Sequence, residues 1–548
     1  MKYLLALLIL LVGLLGRVSA APGDLDLTFG IGGKVTTDIG NDDENSSRVA
    51  VQGDGKIVVA GSSRNGINTD FALVRYNADG TLDVSFNGTG KVITEFPLAF
   101  PRRGAAANDI AIQGDGKIVV VGYAQVGDSS RGGAIFAVVR YNSNGTLDTS
   151  FNGSGKVTTP MGSISCIARA IAIQGDGKIV VGGARFDDVV RRFDFALVRY
   201  NTNGTLDTTF NGNGKVETDI SGGNAICTRL VLQEDGKIVA AGNSGHGILG
   251  EGEIALVRYN ANGTLDISFN SSGKATLGFD SSSTVVNGVM LQADAEIVVT
   301  ACAWHDCAFF RYNSNGTLDT RFNGAGKVMT SIRSLGIFPG QATFQSDGKI
   351  LVVGNGEALF KLLRFNANGS LDTNFSATGM VTTNISGREG YARDVLVQRD
   401  GKIVVVGGAS NGSNNDIAVV RYLGDSTSAT TLTNLPPVCS TDAPPAPAVR
   451  LNWTPSPLAT SYDIYRNGTL YKSGLTDTSF YNSIGLAEGQ SYTYKIVARH
   501  LGGTGDSNTI TVAIPAGLCS SFGIPQVLGF SPDPIDSCKS SCMLYHKT

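Results

Sequence analysis

One nine-residue segment, Val51-Gln-Gly-Asp-Gly-Lys-Ile-Val-Val59, returns in recognisable form along the chain, with its Gln at 52, 113, 174, 233, 292, 345 and 398. The steps are 61, 61, 59, 59, 53 and 53 residues. A regular period of that length demands an array of like units, each burying its apolar face against a neighbour, and not one continuous core. Two further elements keep the same rhythm. Phe71-Ala-Leu-Val-Arg-Tyr76 recurs with its Arg at 75, 140, 199, 258, 311, 364 and 421, and Leu-Asp-x-x-Phe recurs with its Asp at 26, 83, 148, 207, 266, 319 and 372.

Within a period the hydrophobic pattern reads as four short strands, called b, c, d and a in chain order from the Gln element. Strand b alternates, as in Ile110-Ala-Ile-Gln113. Strand c is the continuous apolar run Lys117 to Val121, expected of a strand covered on both faces. Strand d is Phe136 to Tyr141, and strand a, Lys156 to Thr159, is half polar. Gly-Asp-Gly between b and c, and Asn-x-Asn-Gly-Thr after d, supply residues that accept left-handed turn geometry. With 71 glycines among 548 residues and only 17% charged side chains, the composition suits turn-rich sheets and excludes helical bundles. The expected fold class is all-β: a seven-bladed β-propeller over residues 21–425. Closure follows from the ends. The chain opens with Leu25-Asp26 and Gly33 to Thr37, the part of a period that follows strand d, whereas the last copy stops just after Arg421-Tyr422. An N-terminal strand completing the last blade satisfies both and removes an exposed sheet edge.

These repeated segments resemble the delta-60 repeat family of exported, mostly bacterial proteins, over about residues 23 to 425. The resemblance implies a β-propeller and supplies no active site. Copy five departs at Ala293-Asp-Ala-Glu296, and copy six has Phe365 for the usual Tyr. After a Ser/Thr/Pro-rich linker at 426–445, residues 446–515 carry Leu451-Asn-Trp453, Tyr462-Asp-Ile-Tyr465 and Tyr492-Thr-Tyr494 after Leu486-Ala-Glu-Gly489. Alternating strands, one core Trp and a tyrosine corner resemble a fibronectin type III domain. Residues 516–548 form a Cys-containing tail without readable periodicity.

Residues 1–20 have the basic, apolar and small-residue order of a cleavable signal. The apolar run Tyr3 to Gly16 would span roughly 21 Å as a helix, short of a ~30 Å hydrocarbon core, so no membrane insertion is expected once the signal is cleaved. The expected location is secreted or cell-surface, or periplasmic if retained. Eight Cys in an exported chain favour disulfides, and the expected pairs are Cys439 with Cys519, bracketing the small domain, and Cys302 with Cys307, closing a hairpin. No Cys-x-x-Cys pair occurs and the four His are scattered, so no zinc site is expected. Each Gly-Asp-Gly turn offers a single carboxylate where Ca²⁺ takes about six to eight oxygens, so its Asp is expected to bond its own backbone. The reading assigns no metal and no cofactor.

The once-per-period Arg and Asp suggest an internal pair repeated around the ring: Arg75 with Asp83 and, across the closure, Arg421 with Asp26. Antiparallel strands put the b–c and d–a turns at one end of each sheet and the variable c–d and a–b connections at the other. Variable loops on a rigid frame are the expected binding face. That face holds Arg102, Arg103, Arg131, Arg185, Arg191 and Arg192, with Asp187 and Asp188 between them, and Trp304, placed to stack on a sugar or to fill space between blades. An acidic glycan would suit the arginines; solvated surface charge is the competing reading. With 44 basic and 47 acidic residues the net charge is −3, which gives no field to gather nucleic acid. No nucleophile elbow, His-Glu-x-x-His or phosphate loop occurs. The expected function is a non-enzymatic binding or adhesion protein with a glycan or protein partner. The alternatives are a carbohydrate-active propeller enzyme, with carboxylates from different blades meeting over the channel, and a structural envelope component.

Overall fold

The computed structural model describes residues 21–519 apart from 41–42, 67, 97–103, 127–132, 163–164, 246–251, 279–284, 293–294, 303–305, 333–337, 346, 426–431, 435, 440–445, 454–460, 501–502 and 507–508. The expected signal peptide and most of the tail and linker lie outside the described residues. The chain divides into two compact units at Ser428 and Ala429. The first is a β-propeller repeat array. Among the described residues it contains seven four-stranded antiparallel sheets, each with the strands in the order b, c, d, a. In the first sheet these are Glu44–Val51, Ile57–Asn65, Asn68–Tyr76 and Lys91–Thr94. Each strand b touches the strand b of the next sheet, and that of the seventh, Gly390–Val397, touches that of the first.

The seventh sheet takes its outer strand from the other end of the chain. Lys34–Thr37 pairs antiparallel with Asn415–Tyr422, Lys34 opposite Val420 and Thr37 opposite Ile417. Upstream, Asp26 N donates to Arg421 O at 2.9 Å, and Gly23 N donates to Leu423 O at 2.8 Å. Ser376 N donates to Pro22 O at 3.0 Å, the place taken elsewhere by bonds such as Asn87 N to Asn144 O at 2.7 Å.

Adjacent sheets are held by two repeated devices. Apolar clusters span the seams, as where Leu73, Phe86 and Val92 of the first period pack with Ile110, Val120 and Tyr141 of the second. Each buried Phe or Leu contributes about 1.5–3 kcal/mol. The second device is polar. Arg75, 5% exposed, donates from Nε to Asp83 Oδ2 at 2.8 Å and from Nη1 to Gln52 Oε1 at 3.0 Å. Its Nη1 also reaches Ser143 O in the next period, and its guanidinium lies 4.4 Å from the Phe86 ring centre. Arg421 repeats the Asp, carbonyl and ring contacts between the two ends of the chain, with Asp26 at 2.8 Å, Ala78 O and the Phe29 ring, but not the Gln bond, since Gln398 Oε1 is buried without a partner.

The Asn-Gly-Thr turns have a packing role that turn chemistry alone does not show. Gly145 has φ +88°, and a Cβ there would lie 2.7 Å from the Phe86 ring of the preceding period; Gly204 and Gly263 meet Phe151 and Phe210 in the same way. Gly145→Ala is therefore expected to cost more than the roughly 1 kcal/mol of the backbone conformation and to lower the melting temperature by about 2–4 °C, read by thermal unfolding. An unchanged melting temperature would remove the packing argument.

The second unit is also all-β. One sheet is built on Pro447–Trp453, which pairs Leu432–Asn434, Val438–Cys439 and Ser479–Asn482; the other runs Thr469–Leu475, Ser461–Arg466, Ser491–His500, with Ile510–Ala513 pairing Ser491–His500. Trp453, Tyr462, Ile464, Tyr494 and Ile496 fill its core, and the Tyr492 hydroxyl accepts Ala487 N at 2.9 Å. Cys439 bonds Cys519, and in the first unit Cys302 bonds Cys307, the two expected pairings, while Cys166 and Cys227 are buried free thiols. No helix among the described residues is long and apolar enough to cross a membrane.

Candidate binding face and channel

The variable c–d connection of the third sheet joins Ile179–Asp187 to Arg192–Tyr200 and carries five of the residues singled out in the sequence. The charges of Arg185, Asp187 and Arg192 are spent in ion pairs. Arg185 Nη1 lies 2.9 Å from Asp187 Oδ2 and 3.3 Å from Glu217 Oε2, and its Nε donates to Met161 O at 3.1 Å. Arg192 sits 3.3 Å from Asp194 and 2.7 Å from Asp219, and donates to Gly222 O at 3.1 Å. Asp187 Oδ1 accepts the backbone N–H groups of Val189 and Val190 at 2.8 and 3.0 Å, and these bonds together with Arg185 hold its carboxyl down at about 2. Arg191 takes φ 57° to close the turn, its N donating to Asp187 O at 2.8 Å. The loop therefore presents no free anion receptor at Arg185 or Arg192. It presents an apolar tip, Val189 and Val190 at 90% and 51% exposure, on a base pinned by hydrogen bonds. Asp188 lies in the same tip. Arg102, Arg103, Arg131 and Trp304 fall outside the described residues.

A second polar concentration lies where the seven b strands meet, and the sequence reading did not single it out. Every b strand has a register shift at the same level, for example between Ser46 and Arg48, Ala107 and Asp109, and Cys227 and Arg229. A bulge re-aims the side chains around it. Arg48, Asp109, Arg229 and Asp394, all four residues before the Gln of their period, come together there with Arg169. Arg48 Nε is 3.5 Å from Asp109 Oδ1. Asp109 Oδ2 accepts Ile171 N at 3.0 Å, and Asp394 Oδ2 accepts Val49 N at 2.9 Å, each across a seam. Arg229 donates from Nε and Nη2 to Asn287 O at 3.2 and 3.1 Å.

Burial pushes both carboxyls up, against the pull of the arginines. Burial, reinforced by Arg48, pushes Arg229 down to about 9. Arg169 Nε is buried without a hydrogen-bond partner. The layer stitches neighbouring b strands and leaves three guanidinium groups to two carboxylates. The signal was present in the sequence as charge variation, Arg, Asp, Ala, Arg, Gly and Asp at 48, 109, 170, 229, 288 and 394, inside an otherwise repeated strand.

Six segments of the chain, 52–86, 113–151, 174–210, 233–269, 345–375 and 398–427, match the family model described as a domain of unknown function (DUF5122) beta-propeller. No curated protein matches the sequence. Similar solved structures include a virginiamycin B lyase from Staphylococcus aureus, with 11% identity, a TM-score of 0.41, and 71% of this chain and 98% of that one covered. Prolyl oligopeptidase B from Galerina marginata is similar at 10% identity and a TM-score of 0.39 over 76% of this chain and 56% of that one. Sqt1 from Chaetomium thermophilum is similar at 11% identity and 0.36 over 71% and 97%.

Proposed function

We propose that this β-propeller repeat protein is an exported, non-enzymatic binding or adhesion protein. Its first unit is a seven-bladed propeller closed by the N-terminal strand, and its second a fibronectin type III-like module that acts as spacer or further contact. The observation that carries the reading is the third-sheet loop, where ion pairs and capping bonds fix the backbone and leave Val189 and Val190 exposed beside Arg191. Variable tips on a rigid frame serve recognition, and a pre-ordered tip loses little entropy on binding. The two disulfides suit an oxidising compartment. The partner contacted by this tip is a surface with an apolar patch and an anionic edge, such as a glycan carrying acid groups or a cell-surface protein.

The test is binding of the mature chain to an array of glycans, cell-wall polymers and surface proteins. The expected result is retention on one class of ligand, reduced about tenfold or more by Val189→Ser with Val190→Ser while the melting temperature is unchanged. Silence on every ligand, or full binding by the double variant, counts against this reading.

A further inference from the structure

Glu44 is a carboxylate in a place built for a small side chain. At the equivalent position of strand b the second, third, fourth and seventh sheets carry Ala105, Cys166, Ala225 and Gly390, each buried. Glu44 is 1% exposed. Its Oε1 accepts Gly40 N at 3.2 Å and Ser63 Oγ at 3.4 Å, and its Oε2 is buried with no hydrogen-bond partner. Oxygens of Asp38, Glu44 and Asp416 lie within 4.8 Å of one another. Asp38 follows the closing strand Lys34–Thr37, Asp416 belongs to strand d of the seventh sheet, and Glu44 opens the first.

Lys91 faces this group and pulls the Asp416 carboxyl down against its burial. Its Nζ donates to the backbone carbonyl of Asp38 at 2.5 Å. Asp416 accepts Asn411 Nδ2 at 2.8 Å. The third sheet shows the contrast: its matching acidic pair, Asp194 and Asp219, is bridged by Arg192, where the seventh sheet has Asn414 two residues before Asp416. A buried carboxylate is tolerated when it is paired, protonated or bound to a metal.

We propose that Asp38, Glu44 and Asp416 bind a hard divalent cation of the Ca²⁺ class at the seam between the seventh sheet and the first. All-oxygen, all-carboxylate donors suit such an ion, which takes about six to eight oxygens; the three carboxylates supply up to six and water the rest. The ion would tie the closing strand to both sheets that it joins. The idea is independent of the binding-face reading, since it concerns a different seam and a different readout. Burial, with Asp38 and Asp416 adding repulsion, pushes the Glu44 carboxyl up to about 7, while Tyr391 and Asp43 are the next titratable groups and Lys91 the facing cation. A buried carboxylate beside two others costs stability when it is ionised without a counter-charge. A bound cation cancels that cost.

The experiment uses the full mature chain, stripped with EDTA and then given millimolar Ca²⁺. The expected result is a rise in melting temperature of about 3 °C or more, with terbium luminescence reporting binding that Ca²⁺ displaces. Glu44→Gln loses the Ca²⁺ response. Glu44→Ala, which restores the residue found at 105 and 225, keeps the fold testable: it should be more stable than the parent in EDTA and indifferent to Ca²⁺. The proposal is overturned by a wild-type melt indifferent to Ca²⁺ or by an equal Ca²⁺ response in Glu44→Ala.

Discussion

Deleting residues 21–37 is expected to abolish cooperative unfolding of the first unit and to yield a protein that aggregates and is cut early by proteases in residues 390–422. The deletion removes the strand paired to Asn415–Tyr422 and leaves that strand as an open edge, a template for association. It also removes Phe29, fully buried among Val404, Val406, Ile417 and Val419, at about 3–5 kcal/mol. Arg421, 4% exposed, loses Asp26 and the Phe29 ring together, and a stranded buried charge costs a further 3–5 kcal/mol or so. These losses rival the whole stability of a typical domain, about 5–15 kcal/mol. Thermal unfolding followed by circular dichroism and limited proteolysis read the effect. A peptide of residues 21–37 added in trans should restore part of the protection. A truncated chain that melts like the parent would show that the sheet order, and not its completion, carries the stability.

How far this architecture was readable in the sequence depended on whether a residue acts in every period or in one. The pairing of Arg75 with Asp83 could be foreseen because seven copies of each residue keep one spacing, and the pairing of Lys34–Thr37 with Asn415–Tyr422 because the two ends carry complementary parts of a period. Both disulfide pairs followed from bracketing and hairpin spacing. Departures from the repeat were visible, but their consequence was not. The Tyr141 hydroxyl bonds Thr94 Oγ1 at 2.6 Å and Tyr259 bonds Thr218 at 2.8 Å, whereas Tyr312 is left without a partner because Leu277 stands at the corresponding position.

The functional residues were the hardest to foresee, for a geometric reason. Arg185 and Arg192 look like a cationic patch along the chain, yet their neutralising groups, Glu217 and Asp219, arrive from strand a after a further stretch of chain. Arg48, Asp109, Arg229 and Asp394 are separated by whole periods and meet only because the b strands converge. Glu44 looks like an ordinary solvated acid near a loop, and only its alignment with Ala105, Cys166 and Ala225 exposes it as out of place.

The repeated ion pair sets the acid limit of the protein. Asp148→Ala is expected to destabilise the first unit by about 3–5 kcal/mol, because Arg140, 4% exposed, would keep its charge in a buried site after losing the carboxylate at 2.7 Å. Replacing both partners, Arg140→Met with Asp148→Leu, should recover most of that loss, since the cost lies in the unpaired charge more than in the pair's absence. Protonation makes the same cut in the native protein. Burial raises the carboxyls of Asp26, Asp83, Asp148 and Asp207, but bonds from the Ser or Thr two residues on, with nearby Lys and Arg, outweigh it and hold each at about 2. An unfolded Asp titrates near 3.9, so these groups add stability that is fully present above about pH 4 and is lost as pH falls through about 2. Melting temperatures should therefore drop steeply over that window, and Asp148→Asn should show a shallower drop because one proton-linked site has been removed. A melting temperature that stays level from pH 4 to about 2 would mean that the seams are held by their apolar clusters alone, and the double replacement at 140 and 148 would then be silent as well.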